Sequence, residues 1–209
     1  MTKITERGMI FNAEMVRALL SGRKTQTRRI IKPQPEATLS GSLSGKWLSR
    51  PLNGLLLPKI EDIAIHCPFG SVGDRIWVRE AFRVHSRATD VATLVYKASE
   101  RNSWTEQTRR VPVAVCNKPA TPEKWTPSLH MPRWASRILL EITGVRVERL
   151  RSMSQDDARA EGVIAASGPM EAGLAFRELW DSIYGEESWK ANPWVFWVIE
   201  FKRVEGGAA

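Results

Sequence analysis

Apolar positions along this chain change their period several times, and those changes mark out its elements. Met15, Ala18 and Leu19 recur at three- and four-residue intervals, which predicts a short amphipathic helix over Ala13–Ser21. Asn12 suits its N-cap, Glu14 its positive end, and Gly22 the left-handed position past the last turn. Thr25–Ile31 is rich in β-branched residues and reads as a strand. Gly70-Ser71-Val72-Gly73-Asp74 reads as a turn leading into a strand at Arg75–Arg79, and Thr93–Lys97 reads as another. Ile138, Leu140 and Ile142 alternate with Arg137, Leu139 and Glu141, and Val145 and Val147 alternate with Arg146 and Glu148 up to Leu150. Only Gly144 interrupts them, which predicts one long strand with a bulge there. Ser154 and Asp157 resemble a capping box opening a short helix that ends near Gly162. Met170–Tyr184 reads as a further helix with Leu174, Leu179 and Ile183 inward, and Trp194–Phe201 as an apolar strand central to a sheet.

Two stretches carry no such period. Lys32 to about Pro68 holds Pro33, Pro35, Pro51 and Pro58 among serines and glycines, with Leu55-Leu56-Leu57 the expected anchor onto the core. Glu100–Arg133 is polar and proline-bearing, with little regular structure expected. The chain thus reads as a single domain over 1–209 with insertions at about 33–68 and 100–133, and it shows no internal repeat. The element order predicts an α+β fold whose largely antiparallel sheet curls into a barrel.

Composition narrows the partners. Among 209 residues, 31 Lys and Arg face 23 Asp and Glu, an excess of eight cations that suits a polyanionic partner, nucleic acid above all, and equally an indifferent basic surface. Cys67 and Cys116 have neither a close partner nor ligand spacing, so neither a zinc site nor a disulfide framework is indicated and a reducing, cytoplasmic home fits. His66, His85 and His130 are scattered, and no metal or cofactor is expected. No apolar run reaches the roughly 18 residues of a membrane span. There is no P-loop, G-x-G-x-x-G, G-x-S-x-G or H-E-x-x-H.

The densest candidate chemistry is Ser21–Arg29, with Arg23, Lys24, Arg28 and Arg29 within nine residues. In a regular strand Thr25, Thr27 and Arg29 would line one face and Gln26 and Arg28 the other, so Lys24 can join Thr27 only from the turn before the strand. Desolvation would make Lys24 a base or nucleophile, whereas a cation-decorated edge strand would need no function at all. Glu161 opposes the dipole of its own helix, as a carboxylate paired with Lys24 or Arg29 would, although a solvated helix carboxylate fits the local sequence better. Lys124-Trp125, His130-Met131-Pro132-Arg133-Trp134 and Arg137 interleave cations with aromatics, as base stacking with phosphate contact requires, or as a tryptophan packed under an arginine would.

Gly22-Arg23-Lys24-Thr25-Gln26-Thr27-Arg28-Arg29 after a short helix resembles the signature of the ASCH domain, a relative of the PUA RNA-binding fold. Val72–Glu80, Glu148-Arg149-Leu150, Asp157–Gly162, Trp180 and Asn192-Pro193-Trp194-Val195 follow in the order of the longer phage- and prophage-type members. The resemblance implies a PUA-like β-barrel with flanking helices and a cleft for RNA, another single-stranded nucleic acid or a modified nucleoside. Together with the basic cluster and the aromatic-cation interleaving, it leads to expected nucleic-acid contacts from Arg23, Lys24, Arg28, Arg29, Arg133, Trp134 and Arg137. In small bacterial members that hydrolyse N4-acetylcytidine a lysine, a threonine and a glutamate carry the reaction, roles that fall on Lys24, Thr27 and Glu161, with Arg29 a substrate contact. The expectation is therefore an RNA-binding module, with an amidohydrolase or ribonuclease on the same cleft as the alternative. A phage accessory protein binding another protein is a third.

Overall fold

The computed structural model describes residues 4–164, 171–190 and 196–204. In chain order these form β1 (Glu6–Ile10), α1 (Ala13–Leu20), β2 (Gln26–Ile30), β3 (Glu36–Ala37), β4 (Leu43–Ser44), β5 (Arg75–Arg79), β6 (Phe82–Arg87) and β7 (Val91–Tyr96). There follow α2 (Trp104–Gln107), β8 (Thr108–Pro112), β9 (Leu139–Glu148), α3 (Gln155–Ala160), α4 (Ala172–Tyr184), α5 (Glu186–Lys190) and β10 (Phe196–Arg203). The class is α+β. The sheets have open strand orders, and none closes into a barrel among the described residues. The chain divides into two compact units.

The first unit holds the residues up to Gly22, Asp74–Glu141, and the residues from Arg203 on. Its helix α1 starts where Asn12 Oδ1 accepts a hydrogen bond from the Met15 amide at 2.8 Å and stops before Gly22, whose φ of +76° favours glycine. Val16, Ala18 and Leu19 are buried, while Met15 is only half-buried. β1 runs parallel to β5, from Glu6 opposite Arg75 to Ile10 opposite Arg79, whereas β5 with β9 and β10 with β2 pair antiparallel, so this sheet is mixed while most pairings remain antiparallel. A Cβ on Gly8 would lie 2.5 Å from the Trp77 ring, so glycine lets β1 approach.

A second sheet of this unit, β6-β7-β8, is antiparallel throughout and packs Phe82, Val84, Leu94, Tyr96 and Val111 against Met131. β8 lies inside the stretch expected to be irregular. Its Thr108-Arg109-Arg110-Val111-Pro112 offers one buried apolar side chain, Val111, which is too little for a visible period. Residues 121–126 run along β6: the Thr121 amide donates to Val84 O at 2.9 Å, and Thr126 and Phe82 exchange backbone bonds at 2.7 and 3.2 Å.

The second unit comprises Arg23–Gly73 and Ile142–Lys202. Here β10 lies between the later part of β9 and β2, and pairs antiparallel with β2 from Phe196 opposite Ile30 to Glu200 opposite Gln26. Phe196 and Val198 face Ala158, Phe176 and Trp180 of the helices, and Trp197 meets Trp47 edge-on at 6.1 Å. The strand is buried on both faces, as its continuous apolar run leads one to expect. Trp194 and Val195 of the expected strand, and Met170 of the expected helix, lie outside the described residues.

Two expectations about packing are corrected. α4 turns Ala172, Phe176 and Trp180 inward, at strict four-residue spacing, while Leu174 is 61% and Ile183 44% exposed. The rings of Phe176 and Trp180 decide the face, since Trp180 packs edge-on against Phe196 at 4.8 Å. Leu55, Leu56 and Leu57 anchor nothing, being 50, 96 and 78% exposed. They follow a tight turn at Asn53 and Gly54, both at positive φ. The first insertion is held instead by Leu43, Trp47, Leu52 and Ile63, all buried, and the Trp47 indole Nε1 donates to Pro33 O at 3.0 Å.

No described helix is long and apolar enough to cross a membrane.

Candidate functional site

The charged residues of the first motif sit inside the second unit. The Thr25 amide donates to Ala160 O at 2.8 Å, which holds Lys24 under the last turn of α3, just before β2 begins. From there Lys24 Nζ donates to Glu161 O at 2.9 Å and to Glu161 Oε2 at 2.7 Å. A lysine at a helix C-terminus also meets the negative end of the dipole. Glu161 Oε1 accepts from Arg28 Nη1 at 3.1 Å, and Arg28 Nη2 donates to Glu148 Oε2 at 2.9 Å and lies 3.6 Å from Asp157 Oδ1. Arg146 Nη2 donates to the same Asp157 oxygen at 2.5 Å, and its Nη1 bonds Glu200. Gln26 Nε2 donates to Asp157 O at 2.9 Å and Oδ1 at 3.2 Å.

Lys24, Arg28 and Arg146 thus stand against Glu148, Asp157 and Glu161, with Glu200 joining at the outer end through Arg146, three cations against four carboxylates. The side chains of Lys24, Arg28 and Glu161 are 0, 1 and 3% exposed. Burying one such ion alone costs several kcal/mol, so the carboxylates are what allow the cations to be there. Desolvation lowers the Lys24 ammonium below the usual lysine range against the pull of Glu161, and Arg29 and Arg28 push it further down. Burial acts to raise Asp157, but the Ser154 hydroxyl and amide, Arg28 and Gln26 outweigh it and hold the carboxyl at about 2.

Only part of this cluster was anticipated. Glu161 does pair with Lys24, and Arg28 is its second partner where Arg29 had been suggested. Gln26, Arg146 and Asp157 went unremarked as site residues, and Glu148 figured only in a resemblance. The signal was same-face spacing: Gln26 with Arg28 and Arg146 with Glu148 two apart on strands, Asp157 with Glu161 four apart at a helix.

Thr27 is buried, but alternation places it with Ile199 on the face of β2 opposite Gln26 and Arg28. The structure therefore joins Lys24 to Glu161 and turns Thr27 away from them. Arg29 is half-buried opposite Trp197. Arg23 is exposed, and its Nη1 donates to Gly162 O at 3.2 Å.

The remaining expected contacts belong to the first unit. Arg137 forms a two-point pair with the buried Glu80 at 2.8 and 3.0 Å, donates to Ser99 Oγ at 2.9 Å and lies 4.1 Å above the Tyr96 ring. Burial pushes the Glu80 carboxyl up, and Arg137 opposes that. Trp134 packs edge-on against Phe82, and Arg133 Nε donates to Glu6 Oε2 at 2.9 Å.

Beside the cluster lies a cavity of about 900 Å³. Thr38, Leu39, Ile60 and Glu61 of the first insertion face Glu148, Arg149 and Ser152 across it. Glu148 belongs to both cavity and cluster, so it connects the two. Among the described residues no group of three histidine, cysteine or acidic side chains could hold a metal ion.

No protein-family model, curated protein or solved structure matches the chain.

Proposed function

We propose that this is a nucleic-acid-binding protein of the ASCH, PUA-like kind, with single-stranded RNA its favoured ligand. One observation carries the reading: the cluster sets three cations against four carboxylates and carries no net positive charge, so the excess of eight cations falls entirely on groups outside it. Lys24 and Arg28 then serve as the frame that holds β2 to α3, and the exposed Arg23 and Arg149 are the phosphate contacts, with Arg29 beside them in sequence. In the cavity, Glu61 and Glu148 suit the amino edge of a base, as carboxylates accept from cytosine N4, and Arg149 suits the phosphate. The barrel implied by the resemblance is part of the same proposal.

A hydrolase is the second reading, favoured by the 2.7 Å contact between a desolvated Lys24 and Glu161. Against it stand the orientation of Thr27 and the enclosure of both reacting groups, which leaves a substrate no approach to them.

Fluorescence anisotropy with a labelled single-stranded 15-mer RNA, titrated from 50 to 300 mM salt, tests the binder. The logarithm of affinity is expected to fall linearly with the logarithm of salt, and Arg23→Ala or Arg149→Ala to reduce that slope by about 0.7 each. Binding that ignores salt, or none at micromolar protein, overturns the reading. Turnover of N4-acetylcytidine by wild type and not by Lys24→Met would establish the hydrolase instead.

A further inference from the structure

The first unit carries a cavity of its own, of about 270 Å³, lined in part by the Lys124-Trp125 pair. Its walls are mostly apolar: Val84, Pro119, Pro127 and the indole of Trp125. Its rim carries Lys118, Lys124 and His130. This size lies near the lower end of small-ligand sites, about 300 Å³, and suits one planar base with its sugar.

The construction around Trp125 is rigid. Residues 121–126 are stitched to β6 by the three backbone bonds described, and the Lys124 amide closes a turn onto Thr121 O at 3.2 Å. Lys118 is fixed through its carbonyl, which accepts from Arg87 Nη1 at 3.3 Å. The Arg83 guanidinium lies 4.5 Å from the Trp125 ring centroid, so one indole face is already backed by a cation. Its Nε is enclosed and makes no hydrogen bond, and the stacked guanidinium adds a cation–π contact to the indole. A tryptophan only filling core would not line an open cavity rimmed by two lysines. An apolar slot holding an aromatic platform, with two lysines in its lining, matches a group that is flat at one end and anionic at the other.

We propose that this cavity is a nucleotide subsite, in which a base stacks against Trp125 and its phosphate meets Lys118 and Lys124. The same chemistry is offered by a free mononucleotide and by one residue of a single strand. The proposal rests on the nucleic-acid reading only for the second of these.

The test uses the full chain with AMP and UMP by calorimetry, adenosine as the phosphate-free control, and the labelled RNA by anisotropy. Trp125→Ala should weaken AMP by roughly 5- to 150-fold, the range stacking supplies, while Trp125→Phe retains most of the affinity. Lys118→Ala/Lys124→Ala should weaken AMP but leave adenosine unchanged. These lysines lie at the surface rim, so that variant keeps the test decisive even if Trp125→Ala misfolds. Nucleotide binding that ignores both variants, or no nucleotide binding alongside intact RNA binding, overturns the subsite and leaves the RNA reading standing. AMP binding that follows these variants without any RNA binding establishes a free-nucleotide site and overturns the RNA reading instead.

Discussion

Lys24 is the residue on which the most forces meet. Burial disfavours its charge, Glu161 favours it, the end of α3 favours it, and Arg28 and Arg29 oppose it. Removing one member of such a group leaves the others buried and uncompensated. Lys24→Met should therefore cost about 3–5 kcal/mol. Glu161→Gln should cost a similar amount, because Lys24 and Arg28 then face an amide. The double variant should cost less than the sum, by about 1 kcal/mol or more, since each change removes what makes the other harmful. Urea unfolding of the four proteins measures this coupling. Additive losses would mean that the pair contributes nothing as a pair.

Among the elements, the first insertion shows where legibility ends. Leu55-Leu56-Leu57 looks like an anchor because three large apolar residues adjoin, yet adjacency does not aim side chains at one place. Trp47, between Lys46 and Leu48, gives no periodic signal but is 3% exposed and supports Trp197. Trp47→Ala should cost about 3–5 kcal/mol, whereas Leu56→Ala should stay within about 0.5 kcal/mol. Thermal or urea midpoints separate them. The sequence was most readable where local chemistry rules: the Asn12 cap, the Ser154–Asp157 box, Gly22 and Gly162, and the alternation of β9. β1 and β6 were not anticipated, because a strand such as Glu6-Arg7-Gly8-Met9-Ile10 becomes one only through its neighbour β5. Lys24 and Glu161 stand 137 positions apart, and local pattern could nominate each but not show that they touch.

At the scale of the whole molecule, acid should act through two routes of the same sign. Asp157 is held at about 2 in the folded chain, below its ordinary 3.8. The stability it supplies is complete above the ordinary value and is lost as pH falls from about 4 to about 2. Meanwhile protonation of other carboxylates raises a net charge that already stands at +8, and self-repulsion grows. The thermal midpoint should drop steeply below pH 4, and Asp157→Asn should start lower at pH 6 and show a shallower drop. Parallel curves for the two proteins would remove Asp157 as a source of acid sensitivity.

The enclosure of Lys24, Arg28 and Glu161 also bears on how this chain can change over generations. A single substitution at Lys24, Arg28 or Glu161 leaves an enclosed charge without its partner, so an isolated step is disfavoured even where the final state would be sound. Replacement of an opposite-signed pair by apolar residues of similar volume leaves no such remainder. Drift at these three positions should thus proceed in matched steps, and related chains should gain or lose them together rather than one at a time.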